Sequence, residues 1–94
     1  MGVREREIEA YFVKRVREAG GLQYKFVSPG HRGVPDRIVA FSGRVAFAEF
    51  KAPGKLLREE QFRESVRIRD AGCDFFVIDS KEEVDYIIRK MTRK

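Results

Sequence analysis

An α/β domain with the order α-β-β-β-α-β-α is the fold class this sequence predicts, and three observations predict it. Apolar residues at helical spacing open and close the chain. Period-two and continuous apolar runs fill several of the segments between. Glycine and proline clusters cut these runs at short intervals. The 94 residues leave room for a single domain, 1–94, with one modest core. A chain this short keeps much of its surface wet and gains from dimerising.

Residues 5–19 form an amphipathic helix, with Ile8, Phe12, Val16 and Ala19 on one stripe, and Gly20-Gly21 ends it. Residues 22–27 alternate as a strand does, with Leu22, Tyr24 and Phe26 on one face and Gln23 and Lys25 on the other. Residues 28–35 are a Gly/Pro-rich loop carrying His31 and Arg32. Residues 36–41 and 44–51 are apolar strands divided by Ser42-Gly43, a two-residue hairpin turn. Ala52-Pro53-Gly54-Lys55 breaks the chain, and residues 56–71 are a charged helix ended by Gly72.

Residues 74–79 enclose Phe75-Phe76-Val77-Ile78, a continuous apolar run that suits a strand buried on both faces. Ser80 and Glu83 make a capping box. The last helix then carries Val84, Ile87, Ile88 and Met91 inward, with Arg89, Lys90, Arg93 and Lys94 near its end to complement the helix dipole. A three-strand meander therefore crosses through a helix to a fourth strand, giving a mixed four-stranded sheet flanked by helices. Phe12, Phe26, Phe47, Phe62 and Phe75 are expected in the core rather than as stacking platforms, and Cys73 as a small buried residue.

Hydrophobic residues are 43% and charged residues 37% of the chain, a globular balance. The net charge of +5 and the pI of about 9.7 favour a polyanionic partner. Cys73 is the single cysteine, so no intrachain disulfide forms and a reducing, cytoplasmic location is expected. One Cys and one His do not make a zinc site. The polar start and the lack of a long apolar run predict neither a signal segment nor a membrane span. The aromatic-rich signatures of RNA-recognition modules are missing.

The hairpin carries the chemistry. With Ser42-Gly43 as its loop, Phe41 faces Arg44 and Asp36 stands directly opposite Glu49. Opposed side chains have Cβ atoms roughly 5 Å apart, and like charges there repel. Two carboxylates so placed call for a hard cation such as Mg²⁺, which keeps positions open for water and phosphate. Lys51, two residues on, projects from the same face and is suited to holding an attacking water or stabilising charge on phosphate. The plainer reading of Glu49 and Lys51, a solvated ion pair, is worth roughly a few tenths of a kcal/mol. Strongly apolar flanks argue against it. Glu9 lies about 100° from Ile8 on the helical wheel, inside the apolar arc, where an ionised group needs a partner. Glu5 falls at about 60° on that wheel, so periodicity alone does not choose between them. Glu5 also has a simpler role, complementing the helix dipole from a solvated first turn.

Pro35-Asp36, a thirteen-residue step to Glu49, and Glu49-Phe50-Lys51 resemble the PD-(D/E)XK nuclease motif. The αβββαβ order is similar to that superfamily's restriction-endonuclease-like core. Gly33-Val34-Pro35-Asp36-Arg37, with Glu9 upstream and Gln61 downstream, is similar to the VRR-NUC branch and to archaeal Holliday junction resolvases. The likeness runs over roughly residues 5–88. It implies Asp36 and Glu49 as metal ligands and Lys51 as the catalytic lysine. It favours Glu9 over Glu5 as an outer metal or water ligand, and makes Gln61 an accessory that orients Lys51 or touches phosphate. It further implies Mg²⁺ or Mn²⁺, no small-molecule cofactor, and a homodimer cutting branched DNA. VRR-NUC modules often end larger proteins whose other domains choose the substrate, so here choice would fall to dimer geometry or a partner.

The function expected is thus a metal-dependent, structure-specific endodeoxyribonuclease acting on four-way junctions or flaps. The alternative is a non-catalytic nucleic-acid-binding module or a subunit of a larger nuclease. His31, Arg32, Arg37 and Lys55 are the candidate DNA contacts, each readable also as an ordinary surface group.

Overall fold

The computed structural model describes residues 3–93. Helix α1 (Glu5–Glu18) leads into strands β1 (Leu22–Lys25), β2 (Arg37–Phe41) and β3 (Arg44–Phe50). Helix α2 (Glu59–Asp70), strand β4 (Asp74–Ile78) and helix α3 (Lys81–Thr92) follow. The expected element order stands, and the sheet runs β1-β2-β3-β4 in space. The first three strands are antiparallel neighbours; β4 lies parallel to β3, as a return through a helix requires. Lys94 of the basic tail lies outside the described residues.

The turn at Ser42-Gly43 has φ of 45° and 83°, both positive, which a two-residue hairpin matching the strand twist demands. Phe41 pairs with Arg44 and Arg37 with Ala48, so one further step sets Asp36 across from Glu49. One face of the sheet holds the core. Ile8, Phe12 and Val16 of α1 and Val84, Ile87, Ile88 and Met91 of α3 pack on Val39, Phe41, Ala46, Ala48, Phe50 and Ile78. Tyr11 and Arg15 of α1 bind Asp85 of α3, at 2.9 and 3.1 Å, latching the two helices above that face.

The opposite face is covered unevenly. Helix α2 packs against β4 and buries only Gln61 and Ser65. Leu22, Tyr24 and Val45 of the uncovered strands are exposed, Tyr24 by 60%. Alternation in β1 was therefore a true strand signal whose apolar side is left largely exposed at Leu22 and Tyr24.

Several side-chain expectations are corrected. Phe62 is 57% exposed because α2 turns its Gln61–Ser65 side inward. Phe26 and Phe47 are half-buried and stack on each other at 5.6 Å, whereas Phe12 and Phe75 are in the interior. Leu56 and Leu57 precede α2 in extended chain, with Leu56 86% exposed. Cys73, ahead of β4 beyond the Gly72 turn, is exposed, as is Ala19 at the end of α1. β4 is an edge strand, buried only at Phe75 and Ile78. Ser80 does cap α3, accepting from the Glu83 amide at 3.1 Å. Among the described residues no helix is long and apolar enough to cross a membrane.

Candidate active site

Asp36, Glu49, Lys51 and Gln61 are gathered at the open end of the hairpin. The carboxylate of Asp36 accepts a hydrogen bond at Oδ2 from the Phe50 amide, 2.9 Å away. That bond ties the start of β2 to the end of β3 just beyond the last ladder pair. Glu49 is 3% exposed. Its Oε2 accepts from Gln61 Nε2 at 2.9 Å and lies 4.0 Å from Lys51 Nζ. Its Oε1 is buried and has no hydrogen-bond partner among the described residues.

The place of Gln61 follows from α2. Its side-chain oxygen accepts from the Arg58 amide at 2.9 Å, satisfying a free donor at the helix start, and its amide is thereby aimed at Glu49. The loop at 28–35 is seated on the same helix. His31 Nε2 lies 2.8 Å from Glu64 Oε1, and Arg32 lies 3.5 Å from Glu60. Gly33 has φ of +83°, and a Cβ there would stand 2.5 Å from the Glu60 carbonyl oxygen, so only glycine lets this loop pass. Pro35 is buried, and Asp36 follows directly from it.

Burial is the main force on Glu49, and it pushes the carboxyl up to about 8. The charge of Asp36 pushes the same way, Lys51 opposes, and Glu5 adds a smaller push upward. A carboxylate held this way, with one oxygen unpartnered, is costly to ionise unless something positive joins it. The donors are hard oxygens, and among the described residues no three or more His, Cys, Asp or Glu side chains are grouped to hold a metal ion, which leaves this pair of carboxylates. A small divalent ion that keeps several of its waters suits such a short donor set. Asp36 and Glu49 therefore fit Mg²⁺ or Mn²⁺.

Two expectations change here. Glu9 is not brought to this pair: its Oε2 accepts from Arg37 Nε at 2.8 Å and lies 3.6 Å from Lys25 Nζ. The wheel was right that an acid in the apolar arc needs a partner, but the partner is a cation on the adjoining strands. Arg37, bonded to Glu9 and to Gln23, is correspondingly not a free phosphate clamp. Glu5, one turn nearer the helix start, is the α1 acid whose charge reaches Glu49. The signal for it was its place on the wheel, which left both acids in play. His31, Arg32 and Lys55 remain exposed.

A solved VRR_NUC domain superposes with a TM-score of 0.84 at 32% identity, covering 90% of this chain and 94% of that one. The protein named "Putative nuclease p44", from Acyrthosiphon pisum secondary endosymbiont phage 1, is 48% identical over 81 residues, 85% of this chain and 87% of its own length. The chain belongs to the VRR-NUC family. No protein-family profile matches it. At that coverage this VRR-NUC chain shares the mixed-sheet α/β fold of the solved domain. Its activity class is that of a nuclease.

Proposed function

We propose that the chain is a divalent-metal-dependent endodeoxyribonuclease that hydrolyses DNA phosphodiesters in branched DNA, such as four-way junctions and flaps. The observation that carries this reading is the buried Glu49, with an orphaned oxygen, packed among Asp36, Lys51 and Gln61. Asp36 and Glu49 would hold Mg²⁺ or Mn²⁺, with Glu5 a further carboxylate at the rim. When bound, the ion supplies Lewis acidity toward a phosphoryl oxygen and lowers the pKa of its water.

The rest is done by the chain itself. Gln61, fixed by the α2 cap, holds the Glu49 side chain so that Oε1 stays free. Lys51, nearly buried, presents an ammonium that orients the attacking water and stabilises negative charge building on the phosphate. In-line displacement then breaks the P–O3′ bond. Arg32, Arg63 and Arg67, each paired with a glutamate of α2, line with Glu60 and Glu64 an open cavity of ≈450 Å³ beside the 28–35 loop, and a DNA backbone phosphate would compete with those acids for the guanidinium groups. His31, held by Glu64, lines the same cavity, and exposed Lys55 lies elsewhere as a weaker contact. The single free cysteine suits a reducing, cytoplasmic setting.

A homodimer belongs to this reading, because both strands of a branch must be reached. The exposed Leu22, Tyr24 and Val45 face is its natural seat. The test is cleavage of nicked, flapped, four-way and linear DNA with Mg²⁺, Mn²⁺ or EDTA, for wild type and Lys51→Ala. Cutting should need the ion, prefer branched substrates, and fall by roughly 100-fold or more in the variant. Equal cutting in EDTA, or by Lys51→Ala, would overturn the mechanism. Binding without any cutting would return the chain to the class of non-catalytic binding modules.

A further inference from the structure

Next to the carboxylate pair is an apolar cavity of ≈360 Å³, lined by Lys55, Leu56, Leu57, Phe62 and Val77. Its position is fixed by the elements that build the site. Val77 is the register partner of Glu49 on the parallel strand, so the two stand roughly 5 Å apart on one face of the sheet. Phe62 directly follows Gln61, whose amide holds Glu49. Phe62 and Leu56 are largely exposed, and α2 anchors itself to the sheet through Gln61 and Ser65 instead. Packing within the chain therefore gives no reason for an aromatic ring at this place.

We propose that this cavity receives one unstacked nucleobase of the DNA strand being cut, so that the enzyme selects phosphates flanked by an unpaired nucleotide. The proposal rests on the nuclease reading and adds the feature of the substrate that is read. An aromatic side chain among aliphatic ones takes a planar ring, and the ammonium of Lys55, an exposed lining residue, takes a phosphate. An occupant that is apolar on its faces and anionic along its edge is a nucleotide; a neutral apolar protein strip would leave Lys55 unanswered. Spacing agrees. A base is separated from its own phosphate by one sugar, so a phosphate at Glu49 carries the adjoining base toward Val77, the register partner of Glu49. A paired base must first leave its stack, whereas an unpaired one at a branch, flap or bulge is free to enter.

The test is binding in EDTA, where cutting is suppressed, to three labelled duplexes of one sequence. One carries a single unpaired 2-aminopurine, one an abasic site at that position, and one is fully paired. Wild type should bind the 2-aminopurine duplex roughly tenfold more tightly than the abasic one and quench its fluorescence as the base stacks. Phe62→Ala should bring that ratio near one while holding abasic-duplex affinity within about twofold. Phe62→Trp should restore it, and as the only tryptophan in the chain its emission should fall on binding. A wild-type ratio near one overturns the proposal, as does a ratio that survives in Phe62→Ala. Loss of a sedimenting dimer in Phe62→Ala with the ratio intact overturns it in favour of a second copy on this surface. A tenfold ratio without any cleavage would sink the nuclease reading and keep the base pocket; cleavage with a ratio of one would do the reverse.

Discussion

Glu49 titrates against its own surroundings, and this gives the site a measurable pH signature. Burial, and then the charge of Asp36, raise its carboxyl from 4.5 to about 8. The folded chain therefore holds this proton more tightly than the unfolded chain does. The stability that follows is complete below about 4.5 and is lost as pH rises toward 8. In EDTA, wild type should lose stability across that window, and Glu49→Gln should flatten the loss; urea midpoints at several pH values read it. A divalent ion held by Asp36 and Glu49, as proposed, would displace the proton, so its affinity should rise through the same range. The two helix acids separate by similar logic. Glu5→Gln should slow cleavage by roughly 10- to 100-fold, as loss of an outer carboxylate does. Glu9→Gln should leave the rate nearly unchanged and cost about 1 kcal/mol by depriving Arg37 of its ion pair. The opposite ranking in single-turnover rates would return Glu9 to the site.

Elements matter here as carriers of loops. The 28–35 loop crosses α2 at Gly33, where a methyl group would strike the Glu60 carbonyl and the backbone is left-handed. Gly33→Ala should cost roughly 1–3 kcal/mol, read as a lowered urea midpoint, and should also reduce cutting because Asp36 lies three residues on. Helices α1 and α3 are held by Tyr11, Arg15 and Asp85. The hydrogen bond from Tyr11, then the bond and charge of Arg15, keep the Asp85 carboxyl below its ordinary range despite some burial. That stabilisation is present above the usual Asp range and disappears as pH falls through the lowered value. Asp85→Asn should therefore unfold earlier than wild type at pH 7, with the gap closing in acid. At this scale the sequence was highly legible. Turn chemistry at Ser42-Gly43 set the hairpin register, and 3.6-residue periodicity gave the inner stripe of α3 residue by residue. The start of α2 was placed too early because nothing local separates Leu56 and Leu57 from the helix that begins at Glu59, and Leu56 ends in solvent.

Across the molecule, the sheet is fully covered on one side only. Two helices seal the core face, while α2 shelters just the β4 end of the other. Exposed Leu22, Tyr24 and Val45 remain on a surface where an apolar group gains nothing from water. Tyr24→Lys should leave the fold intact, since the site is already exposed, yet convert a dimer to a monomer in sedimentation and suppress paired cutting of four-way DNA. A wild-type protein that sediments as a monomer with and without DNA would remove the dimer.

By itself the sequence determined the order of the elements, the hairpin register and the acid–acid–lysine set, because each is written in local chemistry: period, turn residues and spacing along one strand. Tertiary structure alone decided that Glu9 and Arg37 are paired with each other, that Gln61 is a helix cap as well as a site amide, and that Phe62 faces out. Those outcomes depend on how a helix is rotated about its axis and which cation lies across from which acid. Rotation and pairing are settled by contacts between segments far apart in the chain, and periodicity within one segment carries no record of them.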